Sequence, residues 1–273
     1  MKRFENQSTR APAPLGRLVA GLVALVCMGF AVSSAAQTPD AKSVLEKAIV
    51  FHGGREALRS LPDVKSTGTM ELSGRMAGRT VDAVFYERGD GRLRSEVTFE
   101  FRGRKVTSVT MYDGEMCKRR FRSTWDDMPL DENRERAAHR LPFLLEALER
   151  DPVLAGSGAE AGVDVWQVEI PDGRGKAVLS FAQDDGRWVA LEYPGTKAEG
   201  MGTKEEVTRK LIFHAHRDVG GVKMPADTEQ LEDGSLASRV RIEKTEIIQE
   251  WDDAWLQVPD PRKRYIPNEE LAN

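Results

Sequence analysis

The sequence predicts a mainly β protein built on one large antiparallel sheet. In residues 92–101, RLRSEVTFEF, every second side chain from Leu93 to Phe101 is apolar or small, and those between them are charged or polar. This period of two is typical of an antiparallel strand with one buried and one solvated face. Asp-Gly pairs, which favour tight hairpin turns, recur at 90–91, 113–114, 172–173, 185–186 and 233–234. Consecutive strands are therefore expected to pair, and a sheet of this size tends to curl.

About eleven segments carry this strand pattern, and short turns join nearly all of them. They lie near 65–73, 79–88, 92–101, 104–112, 115–122, 163–170, 176–182, 187–193, 205–217, 223–231 and 236–248. Five of them precede, and six follow, a segment of helical character at 131–152.

Two segments break the strand pattern. After Pro39, AKSVLEKAIVFHGG has apolar residues at helical spacing, and Gly53-Gly54 is expected to end that helix before a short turn, REALRSL. The second segment, 131–152, is strongly charged in its first half. Its second half places leucines on one helical face, with Pro142 at or near the helix start; they are Leu141, Leu144, Leu145 and Leu148. Because no other helical layer is predicted, this insertion is expected to lie against the concave side of the sheet.

The N-terminal 36 residues have the order of a secretory signal peptide. Four basic residues precede an apolar run at 18–32, and the small residues SSAA end the segment at Ala36. The apolar run is shorter than the roughly 20 residues that span a bilayer, so cleavage near Ala36 is expected, with an uncleaved anchor as the alternative. Residues 37–273 are then a single domain. Its formal net charge is −7, against −4 for the whole chain, and this balance argues against nucleic-acid binding.

The stretch FHAHRDVGGVKMP, 213–225, raises the question of a metal site. His214, His216 and Asp218 alternate, so a regular strand would carry all three on one face, opposite Phe213 and Ala215. Same-face neighbours on a strand are roughly 6.5–7 Å apart, too far for three in line to converge on zinc. An ordinary hairpin with the histidines on the solvated face is therefore expected, and no metal or other cofactor is predicted.

The sequence contains none of the common catalytic or cofactor-binding motifs. It has no Gly-x-Ser-x-Gly, His-Glu-x-x-His, phosphate-binding glycine loop or Cys-x-x-Cys motif. His52 is expected to cap the C-terminal end of the first helix, His139 to lie solvated in the charged segment, and Cys117 to be a buried small hydrophobic residue. We therefore expect a protein that binds rather than catalyses.

Ten Lys and Arg residues lie between Arg88 and Arg122. Most of them are predicted on the outer face or in the turns of the first half of the sheet. They form either a solvated surface or a docking patch for an envelope receptor, a transporter or anionic lipid headgroups.

Several motifs resemble the secreted outer-membrane lipoprotein-sorting proteins of the LolA/LolB type. They are AIVFHGGREALRSL at 48–61, TMYDGEMCKR at 110–119, HRDVGGVKMP at 216–225 with the later LEDG, and IEKTEIIQEWDDAWLQVPDP at 242–261. The resemblance covers most of residues 41–261. It implies an eleven-stranded antiparallel half-barrel covered by an N-terminal helix and a helical insertion, around an apolar cavity that receives acyl chains.

The resemblance therefore implies a periplasmic carrier that holds lipid or lipoprotein acyl chains without covalent chemistry, as a monomer, in outer-membrane lipoprotein sorting. A sensor or regulatory domain of an envelope system, or a structural domain of an envelope complex, are the alternatives. In a curled sheet, the residues expected to line the cavity are Val97, Phe99 and Phe101 of the third strand, Leu211 and Phe213 of the ninth, and the cover leucines Leu141, Leu144, Leu145 and Leu148.

Overall fold

Thirteen β-strands in a single antiparallel sheet make up most of the chain that can be described. The structure, a computed structural model, describes residues 38–74, 77–101, 103–121, 124–127, 140–172, 175–199 and 203–256. The strands of the first half are β1 (Val64–Leu72), β2 (Arg79–Glu87), β3 (Leu93–Phe101), β4 (Arg104–Tyr112), β5 (Cys117–Phe121) and β6 (Thr124–Asp127). Those of the second half are β7 (Val153–Glu160), β8 (Val163–Asp172), β9 (Gly175–Ala182), β10 (Trp188–Glu199), β11 (Thr203–Val219), β12 (Val222–Glu232) and β13 (Ser235–Ile247).

The sheet consists of two meanders that meet in its middle. Its strand order is β6-β5-β4-β3-β2-β1-β13-β12-β11-β10-β9-β8-β7, so β1 and β13 form the seam. The seam pairs Val64 with Ile247 and Leu72 with Ser238. The sheet does not close, and β6 and β7 are its edges. All eleven predicted strands are present, and the prediction omitted the short edge strand β6 and the glycine-rich edge strand β7.

Three α-helices of the described residues accompany the sheet, α1 (Ala41–Phe51), α2 (Arg55–Arg59) and α3 (Phe143–Glu149). Helix α1 begins where the carboxylate of Asp40 accepts a hydrogen bond of 2.8 Å from the backbone N–H of Ser43, a typical N-cap. His52 is the C-cap residue of α1, as predicted, and Gly53 then takes a positive φ of 113°. The predicted first half of the helical insertion, with His139, lies outside the described residues. In the part of the chain described here, no helix is long and apolar enough to cross a membrane.

The main hydrophobic core lies over the second half of the sheet. Helices α1, α2 and α3 pack there against apolar side chains of β8 to β12. Leu45, Leu144 and Trp188 are fully buried in this core. The helical cover is therefore confirmed, and in the described residues it lies over the part of the sheet that runs from β8 to β12.

Part of the outer face of β3 is buried, contrary to the predicted burial pattern. The alternation predicts that Arg94 and Glu96 face solvent, yet only 2% and 8% of these residues is exposed. The chain after β13 returns over this face, and the backbone carbonyl of Trp255 accepts a hydrogen bond of 2.9 Å from Nη1 of Arg94. The Trp255 ring packs 4.8 Å from that of Tyr86. Because Arg94 also donates to Glu96 at 2.6 Å, the two buried charges compensate each other.

The two histidines of β11 do not lie where the sequence pattern predicts. Two register shifts, between Phe213 and Ala215 and between Ala215 and His216, interrupt its pairing with β12. Such bulges reset the alternation of side chains. His214 is exposed and lies 3.0 Å from Glu229, whereas His216 packs against the ring of His52 at 5.2 Å. The prediction that His214 and His216 share the solvated face, opposite a buried Ala215, is wrong.

Candidate functional site: a half-covered cavity

The first half of the sheet and the seam enclose an open cavity of about 780 Å³. Its walls come from β1 to β4 on one side and from β11 to β13 on the other. Leu61 and the segment 140–142, which precedes α3, border it from the helical side. The volume falls within the range of roughly 300–1,000 Å³ that is common for small-ligand sites.

Five of the nine residues predicted to line a cavity lie in its wall: Val97, Phe99, Leu141, Leu211 and Phe213. The side chain of Phe101 lies outside the described residues. The remaining three leucines belong to the core instead, because Leu144 is fully buried there and Leu145 and Leu148 pack against its edge. The cover thus meets the cavity mainly through the turn before α3.

Strands β1, β2 and β13 also contribute apolar side chains to the wall, which was not predicted from the sequence. Their side chains in the wall are Met70, Leu72, Phe85, Val240 and Ile242. The signal was present, because residues 66–72 and 238–242 alternate in the same way as β3. Together with Val97 and Phe99, these residues form what we call the apolar strip.

Arginine is prominent in the cavity wall. Seven arginines line it, with two glutamates and no lysine, aspartate or histidine among the described residues that line it. The arginines are Arg88, Arg92, Arg94, Arg119, Arg140, Arg209 and Arg217, and the glutamates are Glu87 and Glu232. Of the basic residues in 88–122, four therefore border the cavity, although most of that group was predicted on the outer face or in turns.

Arg88, Arg92, Arg119 and Arg140 border one end of the cavity, which we call the arginine end, although the side chain of Arg88 reaches the outer face and pairs with Asp253. Two of them flank the β2–β3 turn, and Nη1 of Arg140 donates to the carbonyl of Asp90 in that turn at 3.0 Å. Arg119 follows along β5, where it pairs across with Thr110, and Thr110 pairs with Ser95 of β3. Ser95 and Thr110 also line the cavity, so their hydroxyls accompany the guanidinium groups.

The other two arginines of the wall have different partners. Arg209 is buried, donates to the carbonyl of Thr196 at 2.9 Å and lies 3.5 Å from Glu232, which balances its charge. Arg217 donates to the backbone carbonyls of Glu243 and Ile242, at 2.7 and 3.1 Å. These acceptors are neutral, so the hydrogen bonds of Arg217 leave its positive charge uncompensated.

Away from the cavity, two of the motifs noted in the sequence meet at the C-terminal end of α1. His52 is fully buried, and its Nδ1–H donates to the carbonyl of Lys223 at 2.5 Å. Its Nε2 accepts from the backbone N–H of Trp188 at 3.4 Å. The rings of Phe51 and His216 pack beside it. We call this cluster the histidine junction, since it fastens α1 to β10, β11 and β12.

Both histidines of the junction are held neutral. Burial, aided by the nearby Lys223 ammonium, lowers the pKa of His52 from 6.5 to about 4, and the hydrogen bond to the Lys223 carbonyl opposes this shift. Burial also lowers the pKa of His216 to about 4, aided by repulsion from His52 and Arg187. Asp185 acts in the opposite direction on both rings. Nε2 of His216 is buried without a hydrogen-bond partner in the described chain, which is a further cost of protonating it there.

The junction also explains a glycine of the first motif. A Cβ on Gly53 would lie 2.5 Å from the carbonyl oxygen of Gly221, in the β11–β12 turn. Gly53 therefore permits both the positive φ and the close approach of two backbones. His52 occupies a structural position there.

Two other residues singled out in the sequence have structural settings. Cys117 is fully buried against Tyr112 and Leu93, which confirms the prediction for it. His214 belongs to an outer-face ion-pair network with Glu229, Arg239 and Asp227. Over the described ranges, no group of three or more His, Cys, Asp and Glu side chains is placed to hold a metal ion.

Comparison with known proteins identifies the fold by structure and not by sequence. No protein-family model and no curated protein sequence matches the chain. A DUF1329 family protein from Desulfovibrio piger is 14% identical, with a TM-score of 0.54 over 81% of this chain and 98% of that one. A LolA superfamily protein from Nitrosomonas europaea is 13% identical, with a TM-score of 0.52 over 81% of this chain and 99% of that one.

A third similar structure is described as an outer membrane lipoprotein-sorting protein domain from Vibrio parahaemolyticus. It is 12% identical, with a TM-score of 0.51 over 78% of this chain and 96% of that one. The chain has a LolA-like fold. The resemblance noted in the sequence is therefore confirmed at the level of the fold. In this chain the cavity lies over β1 to β4 and β11 to β13, and the packed core over β8 to β12.

Proposed function

We propose that this protein binds acyl chains of lipids or lipoproteins reversibly in the half-covered cavity, as a carrier in outer-membrane lipoprotein sorting. The observation that carries the proposal is the apolar strip in a cavity of about 780 Å³, which the helices leave open while they fill the other half of the sheet. An apolar wall of this size that no segment of the described protein covers is typical of a ligand site.

The proposed binding is physical and not chemical. Each methylene group moved from water into an apolar cavity contributes about 0.8 kcal/mol, so a chain of ten buried methylenes would gain about 8 kcal/mol before the cost of association. No covalent step is needed to hold such a ligand, and a receptor with a better apolar site could withdraw it.

The cellular setting is part of the proposal. Two of the three similar structures are described as a LolA superfamily protein and a lipoprotein-sorting domain, which supports a periplasmic carrier. In this proposal residues 1–36 are a signal peptide cleaved near Ala36, and the carrier is a monomer. The basic residues of 88–122 that lie outside the cavity would meet an envelope receptor or transporter. N-terminal sequencing of exported protein tests the cleavage, and an intact Met1 in a membrane fraction would contradict it.

The binding proposal is tested by a charge placed on the apolar strip. Val97 is half-buried in the cavity wall, and Val153 on β7 is 56% exposed and far from that wall in the strand order. Val97→Glu should abolish binding of a fluorescent fatty-acid probe, because an acyl chain cannot solvate a carboxylate. Val153→Glu is the matched control and should bind as the wild type does. Circular dichroism checks the folding of both variants.

Two outcomes would oppose the proposal. If the probe binds none of the three proteins, the cavity is not an acyl-chain site. If folded Val97→Glu binds the probe as tightly as Val153→Glu does, the ligand lies elsewhere on the protein.

A further inference from the structure

We propose that the cavity selects anionic amphiphiles, with the negatively charged headgroup at the arginine end and the chain along the apolar strip. This inference rests on the proposed function, because it specifies the ligand of the same cavity. It concerns the headgroup, which the apolar strip alone leaves undefined.

Positive side chains outnumber negative ones in the cavity wall. The whole protein has a formal net charge of −4, yet the wall has seven arginines against two glutamates. Neighbouring acids reduce the excess, since Asp90 pairs with Arg88 and Arg92, and Glu96 pairs with Arg94. Asp253 on the outer side also pairs with Arg88. The side chains of Arg88 and Arg94 pair with Asp253 and Glu96 of the outer face, so five arginines of the wall remain, against three acids: Glu87, Glu232 and Asp90.

One arginine of the wall is held by neutral groups. Arg217 lines the cavity, is half-buried, and within the described chain its hydrogen-bond acceptors are the two carbonyls of β13. A guanidinium that is partly withdrawn from water with neutral acceptors raises the electrostatic potential of its surroundings. The cavity wall therefore favours an anion and opposes a cation.

Polar and apolar wall residues follow one another along the strands. Ser95 of β3 pairs with Thr110 of β4, which pairs with Arg119 of β5, and Phe99 lies four residues further along β3. At a strand rise of about 3.3 Å per residue, the two levels are about 13 Å apart. A headgroup beside Ser95 thus leaves its chain free to lie over Val97 and Phe99, the β3 part of the apolar strip. Hydroxyls and guanidinium groups are suitable donors for a carboxylate or a phosphate, and an amphiphile needs this polar-to-apolar sequence of contacts.

The experiment compares dodecyl compounds that differ only in the headgroup, by isothermal titration calorimetry at about pH 8, where carboxylates are ionised. They are dodecanoate, dodecyl phosphate, dodecanol and dodecylammonium. At least one of the two anions should bind about tenfold or more tightly than dodecanol, as expected for charge-assisted hydrogen bonds. Dodecylammonium should bind no more tightly than dodecanol. Preference for dodecanoate would identify a fatty-acid carboxylate, and preference for dodecyl phosphate a phospholipid-type headgroup.

The variant that tests the site is Arg119→Gln with Arg140→Gln. Arg119 is exposed and Arg140 half-buried, so neither substitution enters the core. The double variant should reduce the preference for the anion over dodecanol about tenfold, with dodecanol affinity unchanged. Arg104→Gln is the matched control, because Arg104 is exposed on β4 outside the cavity wall, and it should keep the full preference.

A measurement on the unaltered protein keeps the inference testable if the variants fold poorly. Raising the salt concentration from about 0.05 M to about 0.5 M should weaken binding of the anion and leave dodecanol unaffected, because salt screens the arginines. Equal binding of dodecanol and both anions would overturn the inference and leave the acyl-chain proposal intact. Binding of none of the four compounds would contradict the acyl-chain proposal itself.

Discussion

The histidine junction predicts that the protein loses stability between neutral pH and pH 4.5 through two defined groups. The pKa of His52 is 6.5 in the unfolded chain and about 4 in the folded protein. The unfolded state therefore binds the extra proton over this interval, so stability falls as the pH falls from about 6.5 towards 4. Above about pH 6.5 the two histidines are neutral in both the folded and the unfolded protein, so their titration costs no stability there.

The size of the effect follows from the pKa difference. One pKa unit corresponds to about 1.4 kcal/mol. At pH 4.5 each histidine should therefore lower the free energy of unfolding by about 2.5 kcal/mol relative to its value at pH 7. Two such histidines give at most about 5 kcal/mol. The lowered pKa values of Asp90, Asp185 and Asp227 act mainly at lower pH, because their unfolded value of 3.8 lies below this interval.

The substitution that isolates one proton is His216→Phe. Phenylalanine keeps an aromatic ring against Phe51 and His52, and removes a ring nitrogen that has no hydrogen-bond partner in the described chain. Stability at pH 7 should be unchanged or slightly higher. The loss between pH 7 and pH 4.5 should fall to about half of the wild-type loss, since one of the two titrating groups is gone.

The assay is urea unfolding at several pH values, followed by tryptophan fluorescence. His214→Gln is the control on the same strand and should retain the acid-induced loss, because both junction histidines remain. If His216→Phe loses as much stability as the wild type between pH 7 and pH 4.5, then His216 is not neutral and buried in solution, and the account of the junction is wrong.

Three further predictions concern packing and the cavity. Gly53→Ala should cost more than the roughly 1–3 kcal/mol of backbone strain that Gly54→Ala costs, measured as free energies of unfolding, because only the Gly53 position meets the Gly221 carbonyl; equal losses would remove the close approach as a cause. Leu144→Glu should unfold the helical half or the whole protein, at more than about 4 kcal/mol, since Leu144 is fully buried in the core; a stable variant that loses only ligand binding would restore Leu144 to the cavity. In calorimetry, affinity for straight-chain carboxylates should rise up to about fourfold per added methylene until the strip is covered and then level off, and a flat series would argue against an apolar site.

The strands could be predicted because their signal is local. Alternation and Asp-Gly pairs are visible within a single hairpin, and all eleven predicted strands are present in the sheet. Strand β6 was missed because it has only four residues, and β7, VLAGSGAE, because small residues give little contrast between its faces. The bulges that turn His216 inward depend on pairing with β12, which no short segment reveals.

The burial of each strand face was harder to predict than the strands themselves. Alternation shows that the two faces of a strand differ, but it does not show which part of the protein covers each face. The charged face of β3 is buried because the chain around Trp255 returns over it, and its apolar face is half-open because no helix of the described residues reaches it. The leucine stripe indicated a cover correctly, but the choice of the half-sheet under it depends on α1, against which α3 packs. Five of the nine residues named from the sequence lie in the cavity wall, because β3, β11 and the turn before α3 border the cavity.

The seam between β1 and β13 has a consequence for the order in which the protein acquires its structure. Each meander closes through neighbouring hairpins, which form quickly because little chain entropy is lost. The seam instead joins Val64 to Ile247, so 182 of the 273 residues lie between these two paired positions. A contact of such sequence separation forms late, because closing a long loop is entropically costly until other contacts shorten it. The cavity spans that seam, with β1 to β4 on one side and β11 to β13 on the other. A polypeptide emerging N-terminus first therefore cannot assemble its ligand site until its last strand has appeared.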